Sequence, residues 1–87
     1  MDIRRKASAG TMQSSDLMVV AEPAAALEIV IESTVKKQFE HLIRARIEAT
    51  LGELGVGAGR FHISDRGALD YAIAARVETA VRRASRE

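Results

Sequence analysis

The sequence predicts an α+β fold, a small two-layer domain of order β-β-α-β-α. A three-stranded sheet is covered on one face by two helices. Three observations predict it. Two short apolar stretches with strand patterning stand in the first third of the chain. A long apolar stripe at three- and four-residue spacing follows, and a second strand-and-helix pair closes the sequence. At 87 residues the chain forms one domain, 1–87, near the small end of what folds alone.

Residues 1–15 show no sustained periodicity and are expected to be a flexible N-terminal segment, with Arg4, Arg5 and Lys6 as a solvated basic cluster. Leu17 to Glu22 is apolar and partly β-branched, which suits a strand, and Pro23 ends it. Leu27, Ile29 and Ile31 alternate with Glu28 and Glu32, giving a second strand with one apolar face. The short connection through Ala24, Ala25 and Ala26 predicts that the two strands form an antiparallel hairpin.

Ser33 or Thr34 is placed to cap the next helix by accepting a bond from a free first-turn N–H. Val35, Phe39, Leu42, Ile43, Ile47, Leu51 and Leu54 then form one stripe on a helix of about five turns. Lys36, Lys37, Glu40, Arg44 and Glu48 fall mainly off it. Glu40 and Arg44, four apart, are spaced for an ion pair worth roughly a few tenths of a kcal/mol. Gly55 suits the position after the helix because it tolerates positive φ, and Val56 beyond it can close a hydrophobic cap.

Gly57-Ala58-Gly59 lacks the Lys-Ser/Thr ending of a phosphate loop and reads as a flexible link. Arg60 to Ser64 alternates with Phe61 and Ile63 inward, a third strand. Asp65-Arg66-Gly67 turns the chain. A last helix carries Leu69, Ala72, Ile73, Val77, Ala80 and Val81 on one face, and its basic end complements the helix dipole.

Composition removes several functions. Hydrophobic residues make up 47% of the chain, but many are alanines, and Phe39, Phe61 and Tyr71 are the only aromatics, so the core is a thin aliphatic layer. The net charge of +1 argues against a dedicated nucleic-acid binder. Without cysteine there is no disulfide, thiolate metal site or cysteine nucleophile. No apolar run approaches the ~20 residues of a membrane span. Met1 to Lys6 is followed by small and polar residues rather than a signal peptide's apolar stretch, so a soluble cytoplasmic domain is expected.

No catalytic constellation stands out. His41 lies on the long helix and His62 on the outward side of its strand, both without a paired ligand motif. Asp65 supports a turn, and Asp70 suits a helix start. With Glu78 they make no acid–base pair, because so small a sheet offers little cleft.

The segment Ala9 to Asp16 is different. It is small, hydroxylated and flexible, and contains two adjacent serines, Ser14 and Ser15. A serine hydroxyl is a poor nucleophile without a neighbouring base. Such a loop is better suited to modification by another enzyme that brings its own base. Its residues equally fit an ordinary solvated lead-in to a strand.

Three motifs carry a family resemblance: Ala9-Gly10-Thr11-x-x-Ser14-x-Asp16, Ser33-x-Val35-x-Lys37-Gln38-Phe39, and Asp65-x-Gly67-Ala68-Leu69-Asp70 followed by Ala75-Arg76-Val77-Glu78. In this order and spacing the chain resembles the acyl carrier (gamma) subunit of citrate lyase. The resemblance implies that Ser14 carries a phosphoribosyl-dephospho-coenzyme A group through a phosphodiester, within a loop framed by Gly10, Thr11 and Asp16. The thiol of that group would hold acetyl, exchanged for citryl by an alpha (transferase) subunit. A beta (lyase) subunit would cleave the citryl thioester to oxaloacetate. The resemblance thus implies a non-catalytic carrier in a hetero-oligomer, served transiently by a holo-carrier synthase and an acetylating ligase; the charge balance and the lack of a long apolar run add the expectation of no nucleic acid or membrane partner. Its contribution would be tethering, which raises the effective concentration of the thioester.

Alternatives are the carrier subunit of malonate decarboxylase, which uses the same group, or of citramalate lyase. A non-enzymatic interaction or nucleic-acid-binding module is a further reading, suggested by the basic termini. The helical acyl carrier proteins place Asp-Ser-Leu at a helix start, whereas here Ser-Asp precedes a strand.

Overall fold

The computed structural model describes residues 1–35 and 37–86. Its elements are β1 (Ala7–Gly10), β2 (Leu17–Glu22), β3 (Leu27–Ser33), a 3-10 turn (Lys37–Phe39), α1 (Glu40–Glu53), β4 (Gly59–Asp65) and α2 (Asp70–Ala84). The α+β class and two layers are as expected, but the sheet has four strands in the order β1-β2-β4-β3.

The additional strand, β1, lies inside the segment expected to be flexible. Ala-Ser-Ala-Gly has no intrinsic strand signal; pairing makes it a strand, through the antiparallel register Ala7↔Ala21 to Gly10↔Met18. Ala9 is buried there. The expected β2–β3 hairpin does not form. β4 lies between them, antiparallel to β2 (Leu17↔Asp65) and parallel to β3 (Ser33↔Asp65). Burial explains the order. In β4, Gly59, Phe61, Ile63 and Asp65 are all buried, so it takes a central place. β3 carries Glu28 and Glu32 and half-buried Ile29 and Ile31, which suits an edge.

The core joins Leu17, Val19, Ala21, Phe61 and Ile63 of the sheet to Ile43, Ile47 and Leu51 of α1. From α2 come Ile73, Val77, Ala80, Val81 and Ala84. Phe61 is its one aromatic ring. α1 is shorter than its stripe, with 14 residues. Ser33 does not cap it: Ser33 Oγ accepts from Val35 N–H (3.1 Å) and donates to Asp65 Oδ2 (2.8 Å). The helix starts from the 3-10 turn with Phe39 at its N-cap and no side-chain cap. Lys36, placed by spacing on the polar face, lies outside the described residues. Arg44 reaches the Ile29 carbonyl (3.4 Å) rather than Glu40.

The end of α1 follows expectation. Gly55 has φ 67°, its N–H donates to Gly52 O, and the N–H of buried Val56 donates to Leu51 O (2.9 Å). The basic N-terminal cluster also has a structural task. Arg4 and Arg5 N–H donate to Ala84 O (2.9 and 3.1 Å), and Arg5 Nε donates to Arg83 O (3.1 Å). These bonds satisfy carbonyls that the end of α2 leaves open. Among the described residues no helix is long and apolar enough to cross a membrane.

Candidate functional site

Gly10 to Leu17 forms a tight hairpin at the end of the sheet where β3 and β4 also end, as the aligned Leu17, Asp65 and Ser33 require. Closing it requires glycine at position 10. Its φ is +97°, and a Cβ there would stand 1.9 Å from the Leu17 carbonyl oxygen. Thr11 N–H then donates to that carbonyl (3.1 Å).

Gln13 to Asp16 makes a turn closed by Asp16 N–H donating to Gln13 O (3.2 Å). Ser14 and Ser15 are its two central residues and both are exposed. Ser15 has φ 64°, a third-position conformation that glycine adopts most readily. Ser14 Oγ has no hydrogen-bond partner among the described residues.

The loop's base is tied down on every side. Thr11 Oγ1 donates to Asp16 Oδ2 (2.6 Å) and accepts from Gln13 N–H (3.2 Å). Leu17 N–H donates to Asp16 Oδ1 (2.7 Å). Arg76 of α2 donates to both carboxylate oxygens, Nε to Oδ1 at 3.1 Å and Nη2 to Oδ2 at 3.0 Å. Ser15 N–H donates to Arg66 O (2.8 Å) and Arg66 N–H to Asp16 O (2.9 Å), which continues the β2–β4 ladder into the loop.

This network decides the chemistry open to Ser14. The Thr11 hydroxyl, then Arg76 and the Leu17 N–H, hold the Asp16 carboxyl down at about 2. So acidic a group is a poor general base at neutral pH. His62 Nε2 lies 3.3 Å from Glu32 Oε1, and His41 is exposed on α1. Among the described residues no base is therefore placed against the Ser14 hydroxyl. Among the described residues no cluster of His, Cys, Asp and Glu is arranged to hold a metal.

The expected site residues Gly10, Thr11, Ser14 and Asp16 thus come together in one loop. Sequence reasoning missed the long-range supports, Arg76 and the Arg66 backbone; Asp65 supports the turn as expected, but its burial and its bond from Ser33 were not foreseen. Asp65 is 2% exposed and accepts from Ser33 Oγ, Gly67 N–H (3.2 Å) and Ala68 N–H (3.0 Å), which shapes the β4–α2 turn beside the loop. The available signal was Arg76 within the Ala75-Arg76-Val77-Glu78 motif. Asp70 has a partner besides the helix N-terminus, the Arg46 guanidinium at 2.7 Å, and Glu78 pairs with Arg82 at 3.0 Å.

Comparison with known proteins places the chain in a family. Residues 4–84 match the family model "ACP: Malonate decarboxylase delta subunit (MdcD)". A citrate lyase acyl carrier protein of Halothermothrix orenii is 46% identical over 87 residues, covering 99% of this chain and 93% of that protein. One from Albidiferax ferrireducens is 51% identical over 85 residues, covering 95% and 87%. In fold, the chain is similar to one in a crystal structure of a Pseudomonas malonate decarboxylase hetero-tetramer in complex with malonate. The TM-score is 0.82 at 24% identity, over 95% of this chain and 87% of the other.

Proposed function

The chain belongs to the citrate lyase acyl carrier protein family, and we propose that it is the carrier subunit of a citrate lyase, loaded through Ser14. Members are carriers rather than enzymes, so the chemistry belongs to partner subunits. The observation that carries the proposal is the exposed Ser14 hydroxyl, without a partner among the described residues, at the tip of a turn whose one carboxylate is locked by Thr11 and Arg76. An attaching enzyme can reach that hydroxyl; the Ser15 hydroxyl beside it is exposed as well, and the choice of Ser14 rests on the spacing of the Gly10-Thr11-x-x-Ser14-x-Asp16 motif.

The group proposed is phosphoribosyl-dephospho-coenzyme A, joined by a phosphodiester to Ser14 Oγ. The residues fit it: the serine stands clear, and the loop's one acid is neutralised by Arg76 rather than aimed at an incoming phosphate. When bound, the group supplies a thiol that carries the acyl chain as a thioester. This chain's own residues hold the attachment point at a fixed place. Gly10 sets the hairpin, Thr11 and Asp16 fasten its base, and Arg76 joins that base to α2.

The partners proposed are the alpha (transferase) and beta (lyase) subunits, with a holo-carrier synthase and an acetylating ligase acting transiently in the cytoplasm. A malonate decarboxylase carrier is the second reading, favoured by the family model's description. Intact mass of the chain co-produced with its attaching enzyme tests the loading. The proposal expects the added mass of one such group. An unmodified chain contradicts it. The acyl group found on the thiol, acetyl or citryl against malonyl, separates the two readings.

A further inference from the structure

The geometry points to a second contact for the attached group, resting on the Ser14 reading: the cleft beside the loop holds its first sugar-phosphate unit, with Arg66 as the counter-ion of the phosphodiester. The cleft has a volume of about 190 Å³ and lies between Met12 of the serine loop and the ends of β3 and β4. That is below the roughly 300 Å³ of an ordinary small-molecule pocket, so it takes only part of a large group.

Its lining divides into committed and uncommitted atoms. Ser33 and Asp65 bind each other and the neighbouring turn. Glu32 lies beside His62. The Thr34 and Ser64 hydroxyls and the Arg66 guanidinium have no partner among the described residues. Three donors thus line a space that the serine loop borders at Met12, two residues before the attachment point that comes to bear a negative charge. Guanidinium and hydroxyl donors are the groups that recognise phosphate.

Position makes Arg66 the principal donor. Its own N–H and C=O are bonded to Asp16 O and Ser15 N–H, so its backbone is fixed one residue away from Ser14. Contact there sets the pivot of the flexible arm at the far side of the cleft rather than at Ser14 Oγ. The arm then sweeps a smaller volume, which raises the effective concentration of the thiol wherever it is directed.

The test compares nitrogen-15 spectra of the loaded and unloaded full chain, with intact mass confirming the loading of each sample. The expected result is shifts at the Thr34 and Ser64 amides and the Arg66 Nε, besides those of Met12 to Asp16. In loaded Arg66→Ala the shifts at Thr34 and Ser64 fall at least twofold, and added salt weakens them in the wild type. Arg66 is exposed, so the variant keeps the fold. Shifts confined to Met12–Asp16 in loaded protein, or undiminished in Arg66→Ala, overturn the cleft while leaving the carrier reading intact. A chain that gains no mass overturns both.

Discussion

Arg76 of α2 grips both oxygens of the Asp16 carboxylate, 60 positions away in sequence, at 3.1 and 3.0 Å. The pair joins the base of the serine loop to the last helix. Because Arg76 is half-exposed, its contribution to stability is modest, while its effect on loop order is larger. Arg76→Ala is expected to cost about 1 kcal/mol, a fall in Tm of roughly 4–8 °C. Amide exchange at Gln13 to Asp16 should quicken more than in β2 or β4. Wild-type exchange in those residues contradicts this role.

The same carboxylate gives an acid dependence. Asp16 has a folded-state value lowered from 3.8 to about 2, so the unfolded chain binds the proton more readily. Its stabilisation is fully present above about pH 4 and is lost as pH falls towards 2. Thermal unfolding followed from pH 5 to 2 should show a steeper decline in the wild type than in Asp16→Asn. Parallel curves would remove Asp16 from the account.

At Gly10 the constraint is backbone, not side chain. A Cβ 1.9 Å from the Leu17 carbonyl oxygen, at φ +97°, cannot be relieved by a rotamer change. Gly10→Ala should cost about 2 kcal/mol or more, a large part of a small domain's stability. Gly52→Ala is the control, because nothing lies within 4 Å of a Cβ there and glycine weakens a helix interior. That substitution should stabilise, and chemical denaturation of both variants measures the contrast.

Asp65 is the buried acid of the neighbouring turn. Asp65→Ala strands the Ser33 hydroxyl and two backbone N–H groups, at a cost of about 2–3 kcal/mol. The Arg66 contacts to the serine loop should loosen with it, seen as faster exchange at Ser15. A change confined to stability, with Ser15 exchange unaltered, would separate the turn from the loop.

Much of this was legible from residue patterns because burial is periodic. Leu17, Val19 and Ala21, then Phe61 and Ile63, alternate in sequence and are all buried. The four-residue spacing of Ile43, Ile47 and Leu51 likewise marks the buried side of α1. The same stripe overreached near its start, where Phe39 is 46% exposed and Leu42 57%. Strand order was not legible. The chain runs from β2 past Pro23 to the far edge, and only the completed sheet puts β4 between them. β1 was hidden because Ala7 to Gly10 has no strand propensity of its own. Within the site, the motif marked Gly10, Thr11, Ser14 and Asp16 together, whereas Arg76 and Arg66 meet the loop only through folding.

The central claim is that Ser14, not its neighbour, takes the group. The direct measurement is fragment mapping by mass spectrometry of the loaded chain, run beside Ser14→Ala and Ser15→Gly. Glycine satisfies the φ of 64° at position 15, so Ser15→Gly keeps the turn and should load as the wild type does. The prediction is added mass on the peptide's Ser14, retained in Ser15→Gly and absent in Ser14→Ala. Added mass on Ser15, or a loaded Ser14→Ala chain, contradicts it.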